Sequence, residues 1–340
     1  MKKFVLTSAV LLLATCSSVV PVRAGLVINA IYDGSITGDP NAAAIENTIN
    51  TAIQTYQSLF SNNITVSIYF QEGGGLGQSE YEVYSLAYSS FYAGLVANNA
   101  NPAAISALQS NGGNSNTNGG VNPTSGSTLI ETKSANARAV GINIAPGCLV
   151  GGGHCVDSGN GPLVDGIISL QTAITTPPQG LGAYSLLSVA EHEMDEILGL
   201  GSALENTQGP TDPNVSTDTA FQTGSPEDLF RWNAAVGGVR TLGTSCTIPT
   251  TALFAYGPST GLIAPFNNAC NGADFGDWAS GGSPQVQDAF GTQGSTEVLG
   301  SSEIAALTAI GYTLAPEPGT WALFLGSLVA VGLARRRLSA

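Results

Sequence analysis

An α+β fold is the class this chain predicts, and three patterns predict it. Residues Ile64–Phe70 alternate apolar and polar side chains with the period of a half-buried strand. Ile45, Ile49, Ala52, Ile53 and Tyr56 recur at the spacing of one helix face. Beyond Gly199-Leu200-Gly201, Gly, Pro and Asp crowd the chain, as expected of an irregular, loop-rich C-terminal lobe; 43 of the 340 residues are Gly.

In chain order, Val27–Ile31 is an apolar run fit for a buried strand. Asp39 or Asn41 can cap the following helix, which should run to about Phe60. After the Ile64–Phe70 strand, Tyr81–Ala97 mixes aromatic and small residues and reads as helix. Asn98–Ser127, rich in Asn, Gly and Ser, reads as a loop or insertion. Ala139–Ile144 and Gly166–Leu170 are short strand candidates, as are the segments near Gly238–Thr241 and Ala252–Tyr256. Ser302 is placed to cap a last helix through Ala309, which ends at Gly311-Tyr312.

The chemistry concentrates at 190–202, Ala-Glu-His-Glu-Met-Asp-Glu-Ile-Leu-Gly-Leu-Gly-Ser. Four carboxylates and a histidine occupy six residues of a chain with few charges. On a helix His192 and Glu196 stand about 40° apart, one turn from each other. Leu187, Ala190, Met194, Ile197 and Leu198 form a stripe on roughly the opposite face. The helix should therefore bury one side, present His192 and Glu196 from the other, and end at Gly199. An imidazole and a carboxylate at i, i+4 can share a divalent ion, with Glu193 beside them to take a proton from water. A further ligand must come from elsewhere: His154, Asp274 and Asp277 are the candidates, and the sequence does not choose among them. Glu191 and Asp195 read as supporting or solvent-facing groups.

The string resembles the zinc-protease helix His-Glu-x-x-His, in its metzincin extension His-Glu-x-x-His-x-x-Gly-x-x-His. His192, Glu193 and Gly199 match; Glu196 and Ser202 stand at the second and third histidines. The resemblance implies zinc on His192, a catalytic Glu193, and a mixed twisted sheet packed on long helices, as in the matrixin-like branch. A Met-turn is lacking, since Met1 and Met194 are the two methionines. The run His192-Glu-Met-Asp-Glu196, followed by Leu198-Gly199, is similar to a metalloprotease-like family found among PEP-CTERM proteins.

Both ends fit that last resemblance. Residues 1–24 carry Lys2 and Lys3, an apolar run and Val22-Arg23-Ala24, which reads as a secretory signal for signal peptidase. From 315, Pro316-Glu317-Pro318, a short apolar segment and Arg335-Arg336-Arg337 resemble a PEP-CTERM sorting signal. That implies export through the inner membrane of a Gram-negative cell, transient anchoring, tail removal by an exosortase-type enzyme, and release to the surface or matrix. Residues 25–314 are left as the metalloprotease-like domain.

Between the two ends, Lys133, Arg138, Arg231 and Arg240 face 23 acids, a balance of −19. Such a surface excludes nucleic acid as a partner and suits calcium, for which Asp212, Asn214 and Asp218 are a loop candidate. Four cysteines remain once Cys16 leaves with the signal, and an exported chain favours the disulfides Cys148–Cys155 and Cys246–Cys270. The expected function is a secreted zinc peptidase acting on proteins or peptides. Its alternative is a non-catalytic surface or matrix protein on a degenerate scaffold, stabilised by calcium.

Overall fold

The computed structural model describes residues 25–98, 101–110, 120–173, 183–204, 223–234, 239–242, 251–257, 261–269 and 271–316. In chain order these form β1 (Val27–Tyr32), α1 (Gly34–Thr37), α2 (Ala42–Leu59), β2 (Thr65–Glu72), β3 (Gly77–Tyr81), β4 (Val83–Ala87), α3 (Tyr88–Asn98), α4 (Pro102–Ser110), β5 (Leu129–Lys133) and α5 (Ser134–Ala139). There follow β6 (Cys148–Gly151), β7 (His154–Val156), β8 (Leu163–Val164), β9 (Gly166–Leu170), α6 (Leu186–Leu198), β10 (Arg231–Asn233), β11 (Val239–Arg240), β12 (Ala252–Phe254), β13 (Ala264–Pro265) and α7 (Ser301–Ala309). The fold is α+β.

The central sheet has the order β1-β2-β9-β3. Its first three strands are parallel and β3 is antiparallel at the edge. In β2 the alternation is realised: Val66, Ile68 and Phe70 are fully buried. Helices α2 and α6 pack on this sheet and on each other, so Ile45, Ile49, Ala52, Ile53 and Tyr56 all reach the core. The opposite face is covered by the small sheet β7-β6-β8, where Cys148, Val150, Val164 and Ile167 form a second cluster. Covering on both faces explains why every residue of β9 is buried. The Cys148–Cys155 disulfide ties the β6–β7 hairpin, as the cysteine count predicts. Cys246 and Cys270 lie outside the described residues. The C-terminal lobe is less irregular than its composition suggests. It holds the antiparallel sheet β11-β10-β12-β13, with Phe230, Phe254, Phe266 and Trp278 in edge-on or tilted ring contact.

Four local expectations are corrected. Tyr81–Ala97 is not one helix: Val83–Ala87 is a strand paired with β5, and helical burial begins at Tyr88, with Phe91 and Leu95 following on the same face. The Asn98–Ser127 loop contains α4, begun by Pro102 and capped by the Asn101 side chain, which accepts from the Ala104 amide at 3.0 Å. Ala139–Ile144 is no strand. It ends α5 and folds back, Ile142 N donating to Ala137 O at 2.8 Å and the Arg138 guanidinium to Ile144 O at 2.7 Å. Gly300, not Ser302, caps the last helix, the Glu303 carboxylate accepting from its amide at 3.1 Å.

One contact locks the two long helices. The Tyr56 hydroxyl on α2 lies 2.7 Å from Glu191 O and 2.8 Å from Asp195 Oδ1, both on α6. Tyr56→Phe should lower the free energy of unfolding in urea by about 1–3 kcal/mol, because it leaves buried acceptors without a donor.

Candidate metal centre

Helix α6 starts where the Ser185 hydroxyl accepts from the Ser188 amide at 3.2 Å. It stops at Gly199, whose φ of +130° is closed to other side chains; a Cβ there would also meet the Asn136 side chain. Lys133 Nζ then donates to the Glu196 and Leu200 carbonyls at 2.6 Å each, satisfying the helix end.

The expected one-sided burial of this helix is overturned. Relative exposure is 1% for Glu191, 5% for Glu193, 0% for Asp195 and 5% for Glu196. The apolar stripe faces the sheet, but the C-terminal lobe folds over the acidic side. Glu191 accepts from the Leu299 amide at 2.7 Å and Asp195 from Tyr56. Both are buried supporting groups, away from solvent.

The lobe delivers a third donor. Gly276 lies so close to Gly201 and Ser202 that a Cβ would run into their backbone. That close approach lays 276–277 against the end of α6 and puts Asp277 beside His192. His192 Nε2 is 3.8 Å from Asp277 Oδ1 and 3.9 Å from Glu196 Oε1. Donor atoms of these three residues all fall within 4.8 Å of one another, and the group can hold a metal ion. Donors on a tetrahedral ion at about 2.1 Å stand about 3.4 Å apart, so the two distances from His192 would shorten by about 0.4–0.5 Å around one.

Each donor is aimed by a neighbour. His192 Nδ1–H donates to Val286 O at 2.9 Å, which turns Nε2 toward the acids. Gln287 Nε2 donates to Asp277 Oδ1 at 2.9 Å. The Ser79 hydroxyl, from edge strand β3, donates to Glu196 Oε2. Glu193 faces β3 at Gly77, where a Cβ would collide with its carboxylate.

Of the other candidates, Asp274 is exposed and feels the charge of Glu196, but it is not one of the three converging donors. His154 does not join the group: it is exposed on β7 and pairs with Glu80 at 2.7 Å. Ser202 turns away to donate to Asp228 Oδ1 at 2.6 Å. Asp212, Asn214 and Asp218 lie outside the described residues. Val286, Gln287 and Ser79 carry no sequence signal, being ordinary residues far from the motif. Lys133 carried one, as one of four basic residues in an acidic body.

Packing so many acids together perturbs them strongly. Burial, then the charge of Glu196, raises Glu193 well above the usual carboxylate range. Burial and the charges of Glu196 and Asp274 push Asp277 up to about 8 against the pull of His192. The Glu196 charge, then burial, raises Asp274 to about 6. Burial alone would lower His192, but Asp277, Glu193, Glu196 and the Val286 carbonyl outweigh it and bring the imidazole to about 10. Among the described residues the one ion pair of Lys or Arg with an acid is Arg138–Asp165. Buried acids outnumber the one imidazole here, and the group can hold a metal ion.

The chain matches no family model, no curated protein and no solved structure.

Two outcomes follow from this geometry. Unfolded carboxylates release their protons near pH 4, whereas Asp277 keeps its proton up to about 8 and His192 up to about 10. The fold therefore binds more protons than the unfolded chain, and metal-free stability falls as pH rises from about 5 to 9. Calorimetric melting across that range checks it. Gln287→Ala should weaken the binding of an added divalent metal ion about tenfold in a chelator competition, because it frees the Asp277 carboxylate to rotate.

Proposed function

We propose that this chain is a metal-dependent peptidase whose ion is held by His192, Glu196 and Asp277, with Glu193 as the general base. The convergence of those three donors, with Nε2 turned inward by the Val286 carbonyl, carries the reading. One imidazole and two carboxylates make three protein ligands, the number that catalytic zinc sites use, and zinc is the ion we propose. An ion held there would polarise a peptide carbonyl, acidify water and offset the burial that raises the Glu193 carboxyl.

The residues divide the remaining work. Glu193 lines an open cavity together with His192, Val189 and Gly77, which places its carboxylate where a peptide can approach. It accepts the proton of the attacking water and passes it to the departing amine. Ser79 and Gln287 hold the Glu196 and Asp277 carboxylates in orientation throughout.

The metzincin resemblance is consistent with an antiparallel edge strand running beside the motif helix, and it remains part of this proposal. So do export by signal peptidase and exosortase-type sorting through the 315–340 tail. Among the described residues no helix is long and apolar enough to cross a membrane, and that tail lies outside them. One observation favours a second reading. Two of the three converging donors are carboxylates, which suits calcium and a matrix protein without turnover.

Glu193→Gln separates the two. Under the peptidase reading it lowers peptide hydrolysis by about 10²–10⁴-fold while zinc stays bound, as read by metal analysis of the dialysed protein. Equal hydrolysis by parent and variant would overturn the role of Glu193.

A further inference from the structure

Strand β3 lies between the motif helix and the disulfide-tied hairpin. Its odd-numbered residues face the helix. A Cβ at Gly77 would run into Val189 and the Glu193 carboxylate, the Ser79 hydroxyl donates to Glu196 Oε2, and Lys133 Nζ stands 3.5 Å from the centre of the Tyr81 ring. Successive residues of a strand point to opposite faces, so Glu80 points the other way, toward β6 and β7. There both of its carboxylate oxygens are engaged: Oε1 lies 2.7 Å from His154 Nδ1, and Oε2 accepts from the Cys155 amide at 3.1 Å.

The hairpin that Glu80 grips is itself fixed. The Cys148–Cys155 disulfide joins its two strands, and Gln71 on β2 donates to Gly153 O at the turn at 2.7 Å. The strand β3 is less secure. It is the edge of the central sheet, and among the described residues its backbone ladder runs to β9 alone. Ser79 and Glu80 share a rigid peptide plane, so one cannot shift without the other. Whatever holds Glu80 on the far face of the sheet therefore also holds the Ser79 hydroxyl on Glu196.

We propose that Glu80 is a positioning residue of the metal centre: by clamping β3 to the disulfide-tied hairpin it keeps Ser79 on Glu196 and so fixes the orientation of that carboxylate. The role rests on the centre formed by His192, Glu196 and Asp277, and not on turnover. It gives His154 and the disulfide a task in a site that neither of them touches.

The test is a double-mutant cycle on the full-length chain, with cobalt(II) as the probe. Affinity is read by chelator competition, and ligand geometry by the visible absorption of the bound ion. Glu80→Ala should weaken cobalt binding about tenfold and change the absorption bands. Glu80→Gln keeps an acceptor for the Cys155 amide and should restore most of the affinity. In a chain that already carries Ser79→Ala, Glu80→Ala should cost less than about twofold, because two residues acting through one contact are not additive. If Glu80→Ala does not fold, His154→Ala, at an exposed position, removes one of the two holds on Glu80 and runs the same cycle with about a threefold loss. Unchanged affinity and spectrum in the single variants, or a loss that persists in full beside Ser79→Ala, overturns the role of Glu80. A parent chain that binds no cobalt refutes the metal centre, and the role of Glu80 with it. Equal binding by the parent and Glu80→Ala refutes Glu80 alone.

Discussion

The burial of acids along one helix is the constraint on which the rest depends. Carboxylates inside a protein must be paired, hydrogen-bonded or protonated, because an isolated charge there is very costly. Helix α6 meets this requirement residue by residue. Asp195 accepts from the Tyr56 hydroxyl on α2 and Glu191 from the Leu299 amide of the C-terminal lobe, each keeping its other oxygen buried without a donor. Glu196 accepts from the Ser79 hydroxyl and Asp277 from the Gln287 side-chain amide, both beside the His192 imidazole. His192, Glu196 and Asp277 form the group that can hold a metal ion.

The rest of the fold holds these acids in place. Strand β9, buried on both faces, and the disulfide-tied hairpin behind it give α6 a rigid bed. The antiparallel edge strand β3 brings Ser79 to Glu196 and leaves room for Glu193 at Gly77. The lobe then returns Asp277 by laying Gly276 on Gly201, a contact that only a residue without a side chain permits. Glu227 and Asp228 secure the same turn from the other side, through the Gly201 amide at 2.5 Å and the Ser202 hydroxyl at 2.6 Å. Small residues and buried acids outside the motif thus serve the motif.

Local periodicity made the central elements legible: β1, α2, β2, β9 and the motif helix follow from residues close together in the chain. The misreadings share a cause. Tyr81–Ala97 and Ala139–Ile144 have ambiguous patterns, and distant partners decided them, β5 for the first and Asp165 for the Arg138 that anchors the second. The acidic face of α6 reads as solvated because nothing local announces the lobe that covers it. The site divides the same way. His192, Glu193 and Glu196 are legible as a one-turn cluster, whereas Asp277 could be named only as one of several candidates, because tertiary folding alone brings it near. Gln287 and Ser79 have no local signature at all.

His192, Glu196 and Asp277 are proposed to form one metal-binding centre. X-ray absorption at the zinc edge of the zinc-loaded full-length protein counts the atoms bound to the ion. One imidazole nitrogen, carboxylate oxygens at about 2.0–2.2 Å and no sulfur are expected, with an oxygen scatterer lost in Asp277→Ala. A shell containing sulfur, or a spectrum unchanged by removing Asp277 or His192, would place the ion elsewhere and contradict it.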